Sequence, residues 1–136
     1  QTVRETLSQV LGAHERVKLI EPPEYAEFVK LMQRSHLILS DSGGVQEEAP
    51  TFGVPVLVLR ETTERPEGVE AGTSKLVGTD MDRIVSETST LLSDPKAYAR
   101  MAKAVSPYGD GRASARVRSV VFARLGVPTV EEPMWT

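Results

Sequence analysis

The chain has 136 residues, 40% hydrophobic and 26% charged, with a formal net charge of −3 at pH 7. This length suits one soluble globular domain, and the charge argues against nucleic acid as a partner. Without cysteine there are no disulfides or thiolate metal sites, and two histidines are too few for a zinc site without carboxylates, so no metal is expected. No apolar stretch approaches the roughly 20 residues of a membrane span, so we expect a cytoplasmic protein with no membrane partner.

The predicted elements alternate between helices and strands. In chain order they are a helix at residues 2–12 with a capping box at Thr2 and Glu5, a short buried strand at 17–20, a helix around 28–32, and strands at 37–40 and 54–59. A polar stretch at 60–73 is long for a loop between a strand and the next element. Beyond it lie a strand at 75–77, a helix at 80–92, a short helix at 98–105, a turn at 107–111 and a helix at 113–125.

This alternation predicts parallel strands joined by right-handed crossovers. The fold class is therefore α/β, with a Rossmann-like parallel sheet flanked by helices. In two of the helices the pattern also predicts which side chains face the core and which face water. The core-facing side chains at 80–92 are Ile84, Val85, Leu91 and Leu92, and the solvated face at 113–125 has Arg112, Arg116, Arg118 and Arg124.

The segment "DSGGVQEEAP" follows the apolar strand at 37–40. If Ser42, Gly43 and Gly44 turn the chain into a helix, its first amides point outward, and glycines let a phosphate approach that backbone. The Ser42 hydroxyl could cap the helix or donate to the ligand. The alternative is a tight structural turn, since the motif matches neither the P-loop nor the dinucleotide fingerprint. Pro50 should keep the helix short.

The adjacent glutamates need a separate explanation, because negative charge near a phosphate is unfavourable. Glu48 lies about one turn into the helix, where its carboxylate could accept hydrogen bonds from ribose hydroxyls or could simply face solvent. Glu47 points about 100° away on a helical wheel and could be structural or a neighbour of the sugar.

Four further side chains have two interpretations each. Arg60 and Arg65 follow the strand at 54–59, where an arginine could neutralise a phosphate or form loop ion pairs with nearby glutamates. Phe28 could stack on a base, although core packing is commoner at helical spacing. His36, placed before a strand, could be structural or a catalytic base, and a structural role is expected.

Four segments together resemble the carboxyl-terminal half of the non-hydrolysing UDP-N-acetylglucosamine 2-epimerases: "LIEPPEY", "LILSDSGGVQEEAPTFGVPVLVLRETTERPE", "AGTSKLVGTD" and "PYGDG". The resemblance extends from residue 2 to about residue 125, with the right order and spacing. The combination of SGGxQEEAP with RxTTERPE is what makes it specific.

The resemblance implies a GT-B-type fold with two Rossmann-like domains. It also implies interconversion of UDP-N-acetylglucosamine and UDP-N-acetylmannosamine by elimination and re-addition of UDP, without a cofactor. The implied contacts are the diphosphate for Ser42, Gly43 and Gly44, the ribose for Glu48, the uracil for Phe28, and the nucleotide-sugar site for Arg65. Where the family commonly has a glutamine near the uracil, this chain has Pro23.

Residues 1–136 are accordingly expected to be the carboxyl-terminal nucleotide-binding domain, incomplete at its amino-terminal side. The family's catalytic carboxylates have no counterpart here, so no catalytic residue is predicted and the chain alone is expected to be inactive. A missing amino-terminal half is an expected partner, within a homo-oligomeric enzyme of cell-envelope polysaccharide biosynthesis. The alternatives are a non-catalytic UDP-sugar-binding or regulatory module from a split gene, and half of a GT-B glycosyltransferase.

Overall fold

The computed structural model describes residues 3–130 and 132–133. The chain divides into two compact units between residues 31 and 32. Thr2, one half of the expected capping box, lies outside the described residues.

The first unit contains the predicted amino-terminal helix. Helix α1 (Val3–Leu11) ends at a glycine stop, where the Gly12 N–H donates to the Ser8 carbonyl at 3.0 Å. Helix α2 (Tyr25–Arg34) begins in this unit, two residues after Pro23. The prediction of helices in both places is confirmed.

The buried strand expected at residues 17–20 is wrong. These residues are irregular, and the side chains of Leu19 and Ile20 are 45% and 55% exposed. A strand must satisfy its backbone groups with a neighbouring strand, and no strand within residues 3–130 pairs with this segment. Three apolar residues among four, with Lys18 between them, therefore did not suffice to predict one.

The second unit is built around three parallel strands in the order β1-β2-β3. They are β1 (Ile38–Ser40), β2 (Val56–Val58) and β3 (Ser74–Leu76), each within one residue or two of its predicted position. Leu39 pairs with Leu57, and Leu57 pairs with Lys75. All three residues of β2 are buried, as its continuous apolar sequence predicts for a strand covered on both faces.

Helices follow each strand. They are α3 (Gly43–Glu48), α4 (Pro66–Glu70), α5 (Met81–Ser93), α6 (Pro95–Ala102) and α7 (Ala113–Arg124), with a 3-10 helix at Ala49–Phe52. Helix α4 lies in the polar stretch at 60–73, which was predicted to be a loop. Pro66 suits the first turn of this helix. Among the described residues no helix is long and apolar enough to cross a membrane.

The core of the second unit lies where α5 and α6 pack on β2. It contains Leu57, Val77, Leu91 and Ala97, all buried, and Ile84 packs against them. The inward orientation expected for Ile84 and Leu91 is thus confirmed.

The inward orientation expected for Val85 and Leu92 is wrong, because these side chains are 58% and 63% exposed. Ile84 and Leu91 are seven residues apart and lie on one stripe of α5. Each of the two exposed residues is one position further along, about 100° around the helix. The apolar stripe of α5 is consequently narrower than the sequence suggests.

The turn before α7 is held by an arginine that the sequence assigns to the solvated face. Arg116 donates to both carboxylate oxygens of Asp110, at 2.8 and 2.7 Å, and its side chain is only 16% exposed. This pair, with a further hydrogen bond from the Arg112 N–H at 3.0 Å, holds the pKa of Asp110 well below its usual range. Solvation of Arg116 was the wrong interpretation.

The Leu57→Ala variant is expected to lose about 2–5 kcal/mol of unfolding free energy, the usual cost of truncating a fully buried leucine. Leu57 is fully buried, whereas its register partner Leu39 is 40% exposed. Leu39→Ala is therefore the matched control and should cost much less. Urea denaturation at pH 7 measures both, and equal losses would contradict this account of the core.

Asp110 should make stability pH-dependent in acid. A carboxyl group whose pKa is lowered by folding stabilises the fold above its unfolded pKa, and this contribution is lost as the pH falls through the folded value. Melting temperatures of the parent should fall more steeply than those of Asp110→Asn below about pH 4. Asp41→Asn, which removes an exposed carboxylate, is the control and should follow the parent curve.

Candidate functional site

The carboxyl ends of the three strands lie at one edge of the sheet because the strands are parallel. The loops beyond them are joined there by backbone hydrogen bonds. The Leu59 N–H after β2 donates to the Ser40 carbonyl at 3.0 Å, and the Gly78 N–H after β3 donates to the Arg60 carbonyl at 3.2 Å. Open parallel sheets bind their ligands at this edge.

The glycine turn begins at Ser42, which precedes α3 in an extended conformation with φ −77° and ψ 128°. Its N–H donates to the Ser40 hydroxyl at 3.1 Å. The Ser42 side chain is exposed and does not cap the helix. Of the two roles open to this hydroxyl, capping is therefore wrong, and donation to a ligand stays a prediction.

Neither Gly43 nor Gly44 has a positive φ; both lie in the first turn of α3. A Cβ at Gly43 would lie 2.9 Å from a carboxylate oxygen of Glu64. A Cβ at Gly44 would make only ordinary contacts, at 3.8 Å to the Ser42 hydroxyl and 4.0 Å to the Glu48 carboxylate. A glycine in a helix costs about 0.5–1 kcal/mol relative to alanine, so nothing in the turn itself requires glycine at position 44.

The helix behind this turn contains a buried amide. Gln46 is fully buried. Its Nε2 donates to the Ser42 carbonyl at 3.2 Å, and its Oε1 accepts from the Thr63 hydroxyl at 2.7 Å. Neither Gln46 nor Thr63 was predicted from the sequence, since polar residues in a short helix and a charged loop give no signal of this contact.

Arg65 is held by the residue next to Gln46. Its Nε donates to the Glu47 carboxylate, and one terminal nitrogen donates to the Glu64 carbonyl at 3.0 Å. Hydrogen bonding to Glu47, with the attraction between the charges, raises the pKa of the Arg65 guanidinium. Glu47, for which the sequence left two roles open, therefore has a structural partner.

The other loop arginine also forms an ion pair. Arg60 donates to the Glu64 carboxylate at 2.7 Å. A backbone hydrogen bond and the guanidinium groups of Arg60 and Arg65 lower the pKa of Glu64. The loop thus contains the ion pairs with glutamates that were one of the two interpretations of these arginines. Both arginines also lie at the carboxyl edge of the sheet, where the other interpretation places a phosphate.

The structure brings five of the six predicted site residues together in the second unit. Glu48 ends α3, half-buried and one turn beyond Gly44, and its carboxylate lies 4.0 Å from where a Cβ of residue 44 would be. Phe28 is the sixth, with 38% of its side chain exposed on α2 in the first unit, and its role stays a prediction.

The turn at 107–111 packs against α4, beside the arginine loop. The Tyr108 hydroxyl approaches Gly68 so closely that a Cβ there would lie 2.6 Å from it. Burial raises the pKa of this tyrosine. Gly68 is therefore required for packing.

His36 has the structural role expected from its place before β1. Its ring stacks on Tyr98 with centroids 4.1 Å apart, and its carbonyl accepts from the Tyr98 hydroxyl at 3.0 Å. Within the described part of the chain, no cluster of histidine and carboxylate side chains could hold a metal ion.

The UDP-N-acetylglucosamine 2-epimerase family model matches residues 1–121. The UDP-N-acetylglucosamine 2-epimerase of Bacillus subtilis is 57% identical over 115 residues, covering 85% of this chain and 30% of the relative. A crystal structure of a UDP-N-acetylglucosamine 2-epimerase has a TM-score of 0.92 at 51% identity, covering 98% of this chain and 36% of the other. The crystal structure of the Neisseria meningitidis UDP-GlcNAc 2-epimerase bound to UDP-GlcNAc has a TM-score of 0.84 at 50% identity, covering 89% of this chain and 33% of the other.

The chain thus spans about a third of the length of the relatives it matches. The match includes the glycine turn, α3 and the arginine loop, because the family model extends from residue 1 to residue 121. Together with the parallel α/β fold, these findings show that the chain belongs to the UDP-N-acetylglucosamine 2-epimerase family.

Proposed function

We propose that this chain is the UDP-binding part of a UDP-N-acetylglucosamine 2-epimerase, with its nucleotide site at the carboxyl edge of the sheet. The observation that carries this proposal is the glycine turn: Gly44 is exposed and helical, and an added Cβ would make only ordinary contacts, so the fold itself would accept alanine. A ligand that approaches the backbone supplies the missing reason for glycine. The bound UDP-GlcNAc of the Neisseria meningitidis structure supports a nucleotide sugar as that ligand.

In this proposal the diphosphate lies against Ser42, Gly43 and Gly44. The exposed Ser42 hydroxyl donates to a phosphate oxygen, and the first amides of α3 face the negative charge. Glu64 lies against Gly43, so the phosphates occupy the Gly44 side of the turn, where there is room.

Glu48 accepts hydrogen bonds from the ribose hydroxyls. Glu48 is one helical turn beyond Gly44, and its carboxylate lies 4.0 Å from where a Cβ of residue 44 would be, so a ribose linked to a phosphate at this turn is within its reach. Phe28 contacts the uracil, and Arg65 contacts the nucleotide sugar. The ion pair with Glu47 restrains the Arg65 guanidinium before a ligand arrives, which reduces the entropy lost on binding.

The chain's contribution to epimerisation is electrostatic stabilisation of departing UDP. Carboxylates in the rest of the enzyme move the protons, first in elimination to a glycal and then in re-addition. Residues 1–136 form the carboxyl-terminal nucleotide-binding domain of a GT-B-type fold in this proposal. The whole enzyme is a cytoplasmic homo-oligomer of cell-envelope polysaccharide biosynthesis.

The ribose contact is tested with Glu48→Gln, which keeps the side-chain shape but removes its charge. UDP affinity should fall by about 1.5–3 kcal/mol, the range for hydrogen bonds to charged groups. Calorimetry should show that UDP and 2′,3′-dideoxy-UDP differ less in the variant than in the parent. Glu47→Gln is the matched control, since it lies next in sequence and pairs with Arg65, and it should leave the preference for ribose hydroxyls intact. No binding of UDP by the parent at millimolar concentration would contradict the proposal.

Isotope exchange tests whether this chain binds UDP while the rest of the enzyme supplies the groups that move protons. The chain alone should not incorporate deuterium at C2 of UDP-N-acetylglucosamine in heavy water, because half of a cleft neither supplies the base nor excludes water. Mass spectrometry detects exchange even without net epimerisation. Incorporation that appears only when the rest of an epimerase is added supports the proposal. Incorporation by the purified chain, abolished by a substitution within it, would overturn it.

A further inference from the structure

We propose that Gln46 is a positioning residue, whose side-chain amide fixes the loop carrying Arg65 against the glycine turn and thereby sets affinity for the diphosphate. This inference rests on the proposed UDP site. Gln46 itself is fully buried and lies behind the turn, so it has no contact with the ligand in this account.

Burial of this amide has an energetic cost that the fold must offset. A buried amide needs hydrogen-bond partners for both its oxygen and its nitrogen. Gln46 has one on each side, the Ser42 carbonyl at 3.2 Å and the Thr63 hydroxyl at 2.7 Å. An aliphatic side chain would fill the same space without this requirement, so stability alone does not explain a glutamine here.

The direction of the hydrogen bonds is fixed. The Ser42 carbonyl only accepts, so the NH₂ group of Gln46 must face it and the amide oxygen must face Thr63. The Thr63 proton is then committed to Gln46, and its oxygen accepts from the Arg65 N–H at 3.0 Å. The backbone of Arg65 is thus connected to the glycine turn through two side chains.

Two consecutive residues of α3 therefore hold Arg65 in different ways. Gln46 restrains its main chain through Thr63, and Glu47 restrains its guanidinium. Either restraint alone leaves one part of the arginine free to move. Binding sites lose affinity when groups are displaced by about an ångström. The relay through Gln46 ends at the Ser42 carbonyl, in the turn proposed to hold the diphosphate, so its loss should affect the phosphate end of the ligand most.

The experiment is a double-variant cycle on the full chain, with UDP and uridine affinities measured by calorimetry. Gln46→Met and Thr63→Val both remove the Thr63–Gln46 hydrogen bond, and each also removes its own next link, to the Ser42 carbonyl or from the Arg65 N–H. Each should weaken UDP binding about tenfold. The double variant should also weaken it about tenfold rather than a hundredfold, because the links act in series and one break already disconnects Arg65 from the turn. Uridine binding should change little, since it lacks the diphosphate.

Two further variants separate positioning from general destabilisation. Thr63→Ser keeps the hydroxyl and should bind UDP as tightly as the parent does. Thr62→Val changes an exposed neighbour and should also leave UDP affinity unchanged. In Gln46→Met without ligand, the Arg65 amide proton should exchange faster, although Gln46 does not touch Arg65. If Gln46→Met fails to fold, the comparison of Thr63→Val with Thr63→Ser decides the question.

The outcomes for the two proposals differ. If the parent, Gln46→Met and Thr63→Val all bind UDP equally well, the positioning role is wrong but the proposed UDP site is still supported. Equal loss of UDP and uridine affinity also overturns it, because that pattern indicates a general structural defect. A parent that does not bind UDP overturns the proposed function, and with it the role of Gln46 in affinity.

Discussion

Parallel pairing on both sides of β2 is the constraint on which the other features of the second unit depend. It brings the three strand ends to one edge, so the loops that follow them must meet there. The buried face of β2 also fixes α5 and α6, which cover it through Leu91 and Ala97. The five candidate site residues of the second unit are therefore neighbours because of the sheet, although 23 positions separate Ser42 from Arg65 in the sequence.

The candidate site combines an open turn with a firmly held loop. The open part is the turn at Gly44, where the backbone is accessible. The held part is the segment after β2, which is connected to α3 by the Thr63–Gln46 hydrogen bond and the Arg65–Glu47 ion pair. Such a combination suits binding of a charged ligand, since the protein groups are ordered before it arrives.

Sequence reasoning succeeded where an apolar segment also finds a pairing partner in the chain. The segments at 37–40 and 54–59 predicted two strands of the sheet, although β1 is only partly buried and β2 is fully buried. The position of the glycine turn at a strand end followed from the first of these segments. The strand predicted at 17–20 was wrong, because the pairing of one strand with another depends on residues far away in the chain. Gln46 and Thr63 were not predicted for the same reason: the contact between buried Gln46 and partly buried Thr63 spans 17 positions of the chain.

Strand order has a further consequence for how this sheet can grow. Because the spatial order of the strands equals their order in the chain, β2 is enclosed, and within the described residues only β1 and β3 present a free edge. Backbone groups on such an edge are a template for another strand. Any additional strand in a longer family member, or one from a second molecule, must therefore join at β1 or β3. The half-exposed Leu39 gives the β1 edge an apolar surface on which such an addition could pack.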